Sequence, residues 1–114
     1  MGSGEATHPG IGRMKELILL LQADIDIQQA YERCEDYQKG RGVLFMQQLD
    51  VVLGLLKRNP ESGARYAHPY RRMLMRDFPY GVFYDVQPTR IVVVTITDLR
   101  QNPSVIHRKV FGPA

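Results

Sequence analysis

Cysteine is nearly missing from this chain, with Cys34 alone among 114 residues. A single thiol excludes an internal disulfide and with it the small, disulfide-stapled secreted class. Cys34 stands among apolar helix positions, where packing is its expected role. Long apolar runs are missing too. The longest, Leu17 to Leu21, falls far short of the ~20 residues a membrane span needs. No charged-then-apolar leader with a small-residue cleavage site precedes it, so the expected location is the cytoplasm, away from membranes. Histidine occurs singly at His8, His68 and His107, without the spacing of a metal site, and the expectation is neither metal nor cofactor. Beyond the first residues there is no repeat and no low-complexity tract.

What is present fits one ordinary globular domain: 44% of the residues are hydrophobic, and the length allows a real core but not two. The net charge of +3 hides an asymmetry. Residues 1–59 carry seven Lys/Arg against eight Asp/Glu, and residues 60–114 carry eight against four. Seven of those eight are arginine: Arg65, Arg71, Arg72, Arg76, Arg90, Arg100 and Arg108, with Lys109 the eighth. Planar, forked guanidinium groups suit phosphate or carboxylate. This basic surface is either a solvated face or a contact for nucleic acid, a nucleic-acid enzyme or an acidic protein segment.

Residues 1–13 hold four glycines and a proline without apolar periodicity and read as a flexible leader or expression remnant, leaving 14–114 as the single domain. Lys15 to Leu21 reads as a short strand buried on both sides. Asp24 is expected to cap a helix that carries Ile27, Ala30, Tyr31 and Cys34 on one stripe and stops at Gly40. Either Gly40 or Gly42 is expected to take the positive φ that closes a helix. A second helix, about Val43 to Asn59, aligns Phe45, Leu49, Val52, Leu53 and Leu56 and ends before Pro60. The short connection implies an antiparallel helical hairpin.

Pro60 to Gly63 is a turn and Ala64 to Pro69 a connecting loop. Three strands then follow, about Tyr70 to Arg76, Tyr80 to Val86 and Ile91 to Thr97. The last is almost wholly β-branched and suits a buried pleat. Asp77-Phe78-Pro79 and Gln87-Pro88-Thr89-Arg90 supply the turns. Ser104 to Val110 is left open between a short helix and an edge strand. The expected fold is α+β, with an N-terminal strand, a helical hairpin on one face of an antiparallel sheet and a short C-terminal element.

The order of these features resembles the RelE/ParE toxins of bacterial type II toxin–antitoxin systems, the plasmid stabilisation proteins. The likeness runs from about Lys15 to Pro103. It is carried by Ala23-Asp24-Ile25 with Ala30-Tyr31, Gly42 with Phe45 and Leu49-Asp50, and Asn59-Pro60 with Gly63. It continues in Tyr70-Arg71-Arg72, in Phe78-Pro79-Tyr80 running to Val82-Phe83-Tyr84, and in Arg100 before Asn102-Pro103. The resemblance implies a growth-arresting toxin held in a hetero-oligomer by a cognate antitoxin, a partly disordered segment that folds on contact. ParE-like members bind and stall DNA gyrase; RelE-like members cut messenger RNA in the ribosome.

Ribonuclease chemistry needs groups to activate the ribose 2′-hydroxyl, stabilise phosphate charge and protonate the leaving oxygen. The resemblance offers Arg72, Arg76, Arg100 and His107 for these roles. The chain departs from the RelE-like pattern: no tyrosine follows Tyr84, Asp98 stands two residues before Arg100, and Gln101 replaces a second arginine. A carboxylate there repels RNA unless Arg100 pairs with it. The poorer catalytic set and the long paired helices favour the ParE-like branch, with Arg71, Arg72, Arg100, Arg108 and Lys109 as candidate target contacts.

Overall fold

A computed structural model describes residues 15–112, so the expected leader and His8 lie outside the described residues. In chain order come β1 (Glu16–Leu19), α1 (Leu21–Tyr37), α2 (Arg41–Arg58), a 3-10 turn (Pro60–Ser62), β2 (Ala64–Ala67), β3 (Tyr70–Leu74), β4 (Tyr80–Val86), β5 (Arg90–Asp98) and α3 (Pro103–Phe111). The sheet order is β1-β5-β4-β3-β2. The expected α+β architecture is the one observed, with one difference in the sheet. Strands β2 to β5 pair antiparallel, but β1 runs parallel to β5, so the sheet is mixed. The hairpin of α1 and α2 carries the chain from the β1 edge to the β2 edge.

Two apolar clusters define three layers. Phe45, Leu49, Val52 and Leu56 of α2 and Ala23, Ala30 and Cys34 of α1 pack against Tyr84, Ile91 and Val93 of the sheet. On the opposite face, Ile106 and Val110 of α3 cover Phe83, Val92 and Val94. The helix stripe expected on α2 is thus the buried one, with Leu53 half-buried beside it.

Several expectations fail for physical reasons. β1 is not buried on both sides: Glu16 is exposed and Leu17 to Leu19 are half-buried, because the strand is a sheet edge. The leucine run belongs to two elements, since Leu20 and Leu21 enter α1 exposed. Asp24 is not the N-cap; Leu20 occupies that position without a side-chain bond, and Asp24 lies in the first turn, where a carboxylate still complements the helix dipole. α1 stops at Tyr37, and Gly40, with φ of 90°, serves as N-cap of α2. Glu35 supplies the missing cap by accepting the N–H groups of Gly40 and Gly42 at 2.9 and 2.8 Å. Those bonds hold its carboxyl below the usual range.

Ala64 to Ala67 is an edge strand instead of a loop, and a bulge interrupts its pairing between Arg65 and Ala67. The undecided C-terminal segment is a helix, opened by Pro103 and by the Asn102 side chain, which accepts the Ser104 N–H at 2.9 Å, the usual N-terminal chemistry. Tyr84 pins the 3-10 turn to the sheet: its hydroxyl accepts the Gly63 N–H at 3.0 Å and donates to the Pro60 carbonyl at 2.7 Å. Burial pushes this phenol up from its usual value.

One polar residue sits on the buried stripe of α1. β1 pairs only with Arg90 to Val93, leaving the rest of the β5 edge without a strand partner. Asp26, 3% exposed, fills that gap. Its Oδ2 accepts the Ile96 N–H at 3.1 Å and the Thr95 hydroxyl, and its Oδ1 accepts from Gln22 at 2.8 Å and faces Lys109 Nζ of α3 at 3.2 Å.

Urea denaturation is expected to show Leu49→Ala losing about 2–5 kcal/mol, the range for truncating a buried leucine. Asp26→Ala is expected to lose about 3–5 kcal/mol, as when one member of a buried ion pair is removed. A cost below 1 kcal/mol for Asp26→Ala, roughly that of an exposed pair, would mean the carboxylate is dispensable to the layers it joins.

Candidate functional site

The basic residues of the C-terminal half are distributed over the sheet by its alternation. Arg71 pairs across from Tyr84 and so shares the hairpin face, whereas Arg72 pairs across from Phe83 on the α3 face. Arg71 donates Nη1 to the carbonyls of Gly63 and Glu61 at 2.9 and 3.3 Å, holding the 3-10 turn. It also lines a groove with Lys15, Arg65 and His68 at that end of the sheet. Arg76 lies past the end of β3 and is exposed.

On the α3 face, the stem of Arg72 lies over Gly81, its Cγ 3.3 Å from where a Cβ would stand. A side chain at Gly81 would crowd this stem and, more closely, Leu99 Cδ2 at 3.1 Å. Its Nε is buried and without a hydrogen-bond partner, as is the hydroxyl of Thr97, which pairs across from Gly81 on the same face. Buried polar groups without partners are uncommon, and these two lie together on the α3 face of the sheet beside Gly81.

At the end of β5, Arg100 closes a fork on Asp98. Its Nη2 meets Oδ2 at 2.7 Å, its Nε meets Oδ1 at 3.0 Å, and its own backbone N–H reaches Oδ1 at 2.9 Å. The arginine side chain is 71% exposed and the carboxylate 11%. The guanidinium holds the Asp98 carboxyl below its usual value, while Asp98 raises that of Arg100. A bidentate pair of this kind neutralises the arginine for any other anion that approaches through the same two nitrogens.

His107, exposed on α3, stacks on Phe111 at 4.5 Å, and Phe111 meets the edge of Tyr70 at 4.9 Å. Tyr70 pairs across from Asp85 at one end of β4, and Asp98 pairs across from Tyr80 at the other. The β4 positions opposite Tyr70 and Asp98 are therefore five residues apart, roughly 17 Å. Arg108 is exposed and borders a hollow with Gln22 and Val105. Lys109 is turned inward to Asp26. The candidate residues are thus brought together only in part, with Arg72 and the Asp98–Arg100 pair near the Tyr80 end of the sheet and His107 on α3 against Phe111.

Among the described residues, no group of three or more His, Cys, Asp or Glu is placed to hold a metal ion, and no helix is long and apolar enough to cross a membrane. Sequence reasoning missed two arginines of the helical hairpin. Arg33 donates Nη1 to the Tyr80 hydroxyl at 3.3 Å, and the Arg41 guanidinium lies 4.5 Å from the centre of the Phe78 ring. The near-zero net charge of the N-terminal half conceals them. The signal was their approach to the turn of the hairpin, where both face the β3–β4 connection.

No protein-family profile matches the chain, and no curated protein matches it in sequence. The fold does match a solved structure, a chain of the "Chromosomal ParDE TA system from P. aeruginosa". The TM-score is 0.67 over 75% of this chain and 97% of that one, at 16% identity. Identity this low shows a shared fold, and that fold agrees with the RelE/ParE resemblance of the sequence.

The Asp98–Arg100 pair has a pH signature. A carboxyl whose folded-state value is depressed adds stability that is complete above its unfolded value, near 3.8, and lost as pH falls through the folded value. Denaturation measured between about pH 5 and 2 is expected to show a shallower acid loss for Asp98→Asn than for the unaltered chain. Identical slopes would assign the loss to other carboxylates.

Proposed function

We propose that the chain is the toxin component of a type II toxin–antitoxin system, neutralised by a cognate antitoxin and acting on DNA gyrase by binding. The observation that carries the toxin–antitoxin role is the fold shared with a chain of the ParDE system, together with the sequence features of the RelE/ParE toxins. Support for binding over catalysis comes from the proposed catalytic set. Arg100 is engaged by Asp98, and His107 is stacked on Phe111, which in turn packs on Tyr70 opposite the other end of β4. In-line cleavage of RNA requires its phosphate clamp and its proton donor within hydrogen-bond reach of one phosphodiester. Target contact then falls to side chains that remain exposed, above all Arg108, Arg76 and the outer edge of Arg100.

A second reading, messenger RNA cleavage on the ribosome, is favoured by one observation: the buried Nε of Arg72, beside Gly81, has no hydrogen-bond partner, a donor that a phosphate reaching it would satisfy. Incubation with gyrase, ATP and supercoiled plasmid, followed by detergent and protease, separates the two. Linear DNA that depends on both proteins, with His107→Ala retaining full growth arrest, is the expected outcome. Intact plasmid with ribosome-dependent messenger cleavage that Arg72→Ala abolishes would replace the first reading by the second.

A further inference from the structure

Where the turn of the helical hairpin meets the β3–β4 connection, a hollow of about 290 Å³ opens between Arg33, Arg41 and Arg100. Its floor is apolar. Phe78 and Tyr80 are 7% and 5% exposed, and both meet Phe45 edge-on beneath the surface. Its rim is cationic and partly fixed. The Arg41 guanidinium lies over Phe78 and 5.9 Å from the centre of the Tyr37 ring, with Nη2 donating to the Asp77 carbonyl at 3.2 Å. Arg33 is oriented by its bond to the Tyr80 hydroxyl. Arg100 is neutralised by Asp98, so the net positive charge comes from Arg33 and Arg41. Among the described residues that line the hollow, none is acidic.

Guanidinium groups already oriented by aromatic faces and carbonyls have less freedom left to lose on binding, and their remaining N–H groups suit the two oxygens of a carboxylate. An apolar floor beneath them selects an anion carried beside an apolar group. We infer that this hollow binds a short acidic segment of a partner protein, with one apolar side chain packed against the parts of Phe78, Pro79 and Tyr80 that line it and a flanking carboxylate held by Arg33 and Arg41. That the partner is a protein rests on the toxin–antitoxin reading, in which the antitoxin supplies a segment that folds on contact. A single strand of nucleic acid fits less well. Stacking platforms need exposed ring faces, whereas Arg41 covers the Phe78 face and Tyr80 is buried. Backbone binding needs cations spaced along a groove, whereas this hollow gathers them at one point.

The test uses the full purified chain and three fluorescent probes read by anisotropy. The first is a terminally blocked peptide of leucine flanked on each side by two glutamates. The second replaces the glutamates by glutamines, and the third is a five-residue oligothymidylate. The glutamate peptide is expected to bind at least about tenfold more tightly than the glutamine peptide, and Arg33→Gln and Arg41→Gln are each expected to weaken it about tenfold or more, as loss of a charge-assisted hydrogen bond does. Arg90→Gln, at the start of β5, is expected to leave affinity unchanged. Arg41 also packs on Phe78, so the exposed Arg33 provides the variant least coupled to folding, and thermal melts of each variant confirm the native state. Equal binding of the two peptides, no binding of either, or unchanged affinity in Arg33→Gln overturns the inference. Tighter, arginine-dependent binding of the oligothymidylate overturns it in favour of phosphate. The readout needs no toxicity: a harmless chain that binds the peptide sinks the toxin reading alone, and a toxic chain that does not bind it sinks this inference alone.

Discussion

The layers of this domain depend on one buried carboxylate. β5 is nine residues long and β1 only four, so half of a central strand would face the edge with open backbone donors. A longer β1 would close that edge, but the chain turns into α1 directly after Leu19. Asp26 closes it instead, accepting the Ile96 N–H in place of a strand carbonyl. Burying a charge alone is prohibitive and becomes tolerable only with a counter-charge and full hydrogen bonding. Lys109, Thr95 and Gln22 supply these. Because they come from α3, β5 and α1, one side chain joins the hairpin layer to the sheet and the sheet to the third layer.

That constraint reassigns part of the basic surface. Summed over the C-terminal half, the arginines and Lys109 look like a field awaiting an anion. In space Lys109 faces Asp26, Arg71 holds the carbonyls of Gly63 and Glu61, and Arg100 holds Asp98. Charge density in a sequence counts cations; binding depends on those whose donors remain unspent. Arg33 and Arg41 belong to a half with almost no net charge, and they retain more free donor capacity than several of the cations that set the total.

What was legible follows the same division between local and long-range causes. The β-branched run of β5 and the apolar stripe of α2 are local patterns imposed by burial, and both stand where their residues indicate. The ends of α1 were misread because Leu20 and Leu21 extend an apolar run that has already left the strand. β2 was invisible because Ala64-Arg65-Tyr66-Ala67 is an exposed edge with a bulge, where no burial period is imposed. Parallel pairing of β1 with β5 joins segments more than seventy residues apart, which no local pattern records. Asp26 was legible in principle: Ala23, Asp26, Ala30 and Cys34 form the buried stripe of α1, and a carboxylate on such a stripe requires a partner elsewhere.

The arrangement at the β5 terminus bears on catalysis versus binding through geometry more than through residue identity. Stabilising a phosphate that gains charge calls for guanidinium nitrogens already aimed at it, in a site where no carboxylate competes. Asp98 competes for Arg100 from two residues away through three hydrogen bonds, one from the backbone and two from the side chain, so recruiting Arg100 to RNA means breaking a bidentate bond and leaving a mostly buried carboxylate bare. A protein surface has no such requirement. A partner can approach the outer edge of the pair without separating it, read Arg100 as a shaped donor, and leave Asp98 satisfied. The constraint is specific to Arg100, the arginine whose donors a carboxylate already holds; it does not extend to Arg72, whose buried Nε has no partner to surrender.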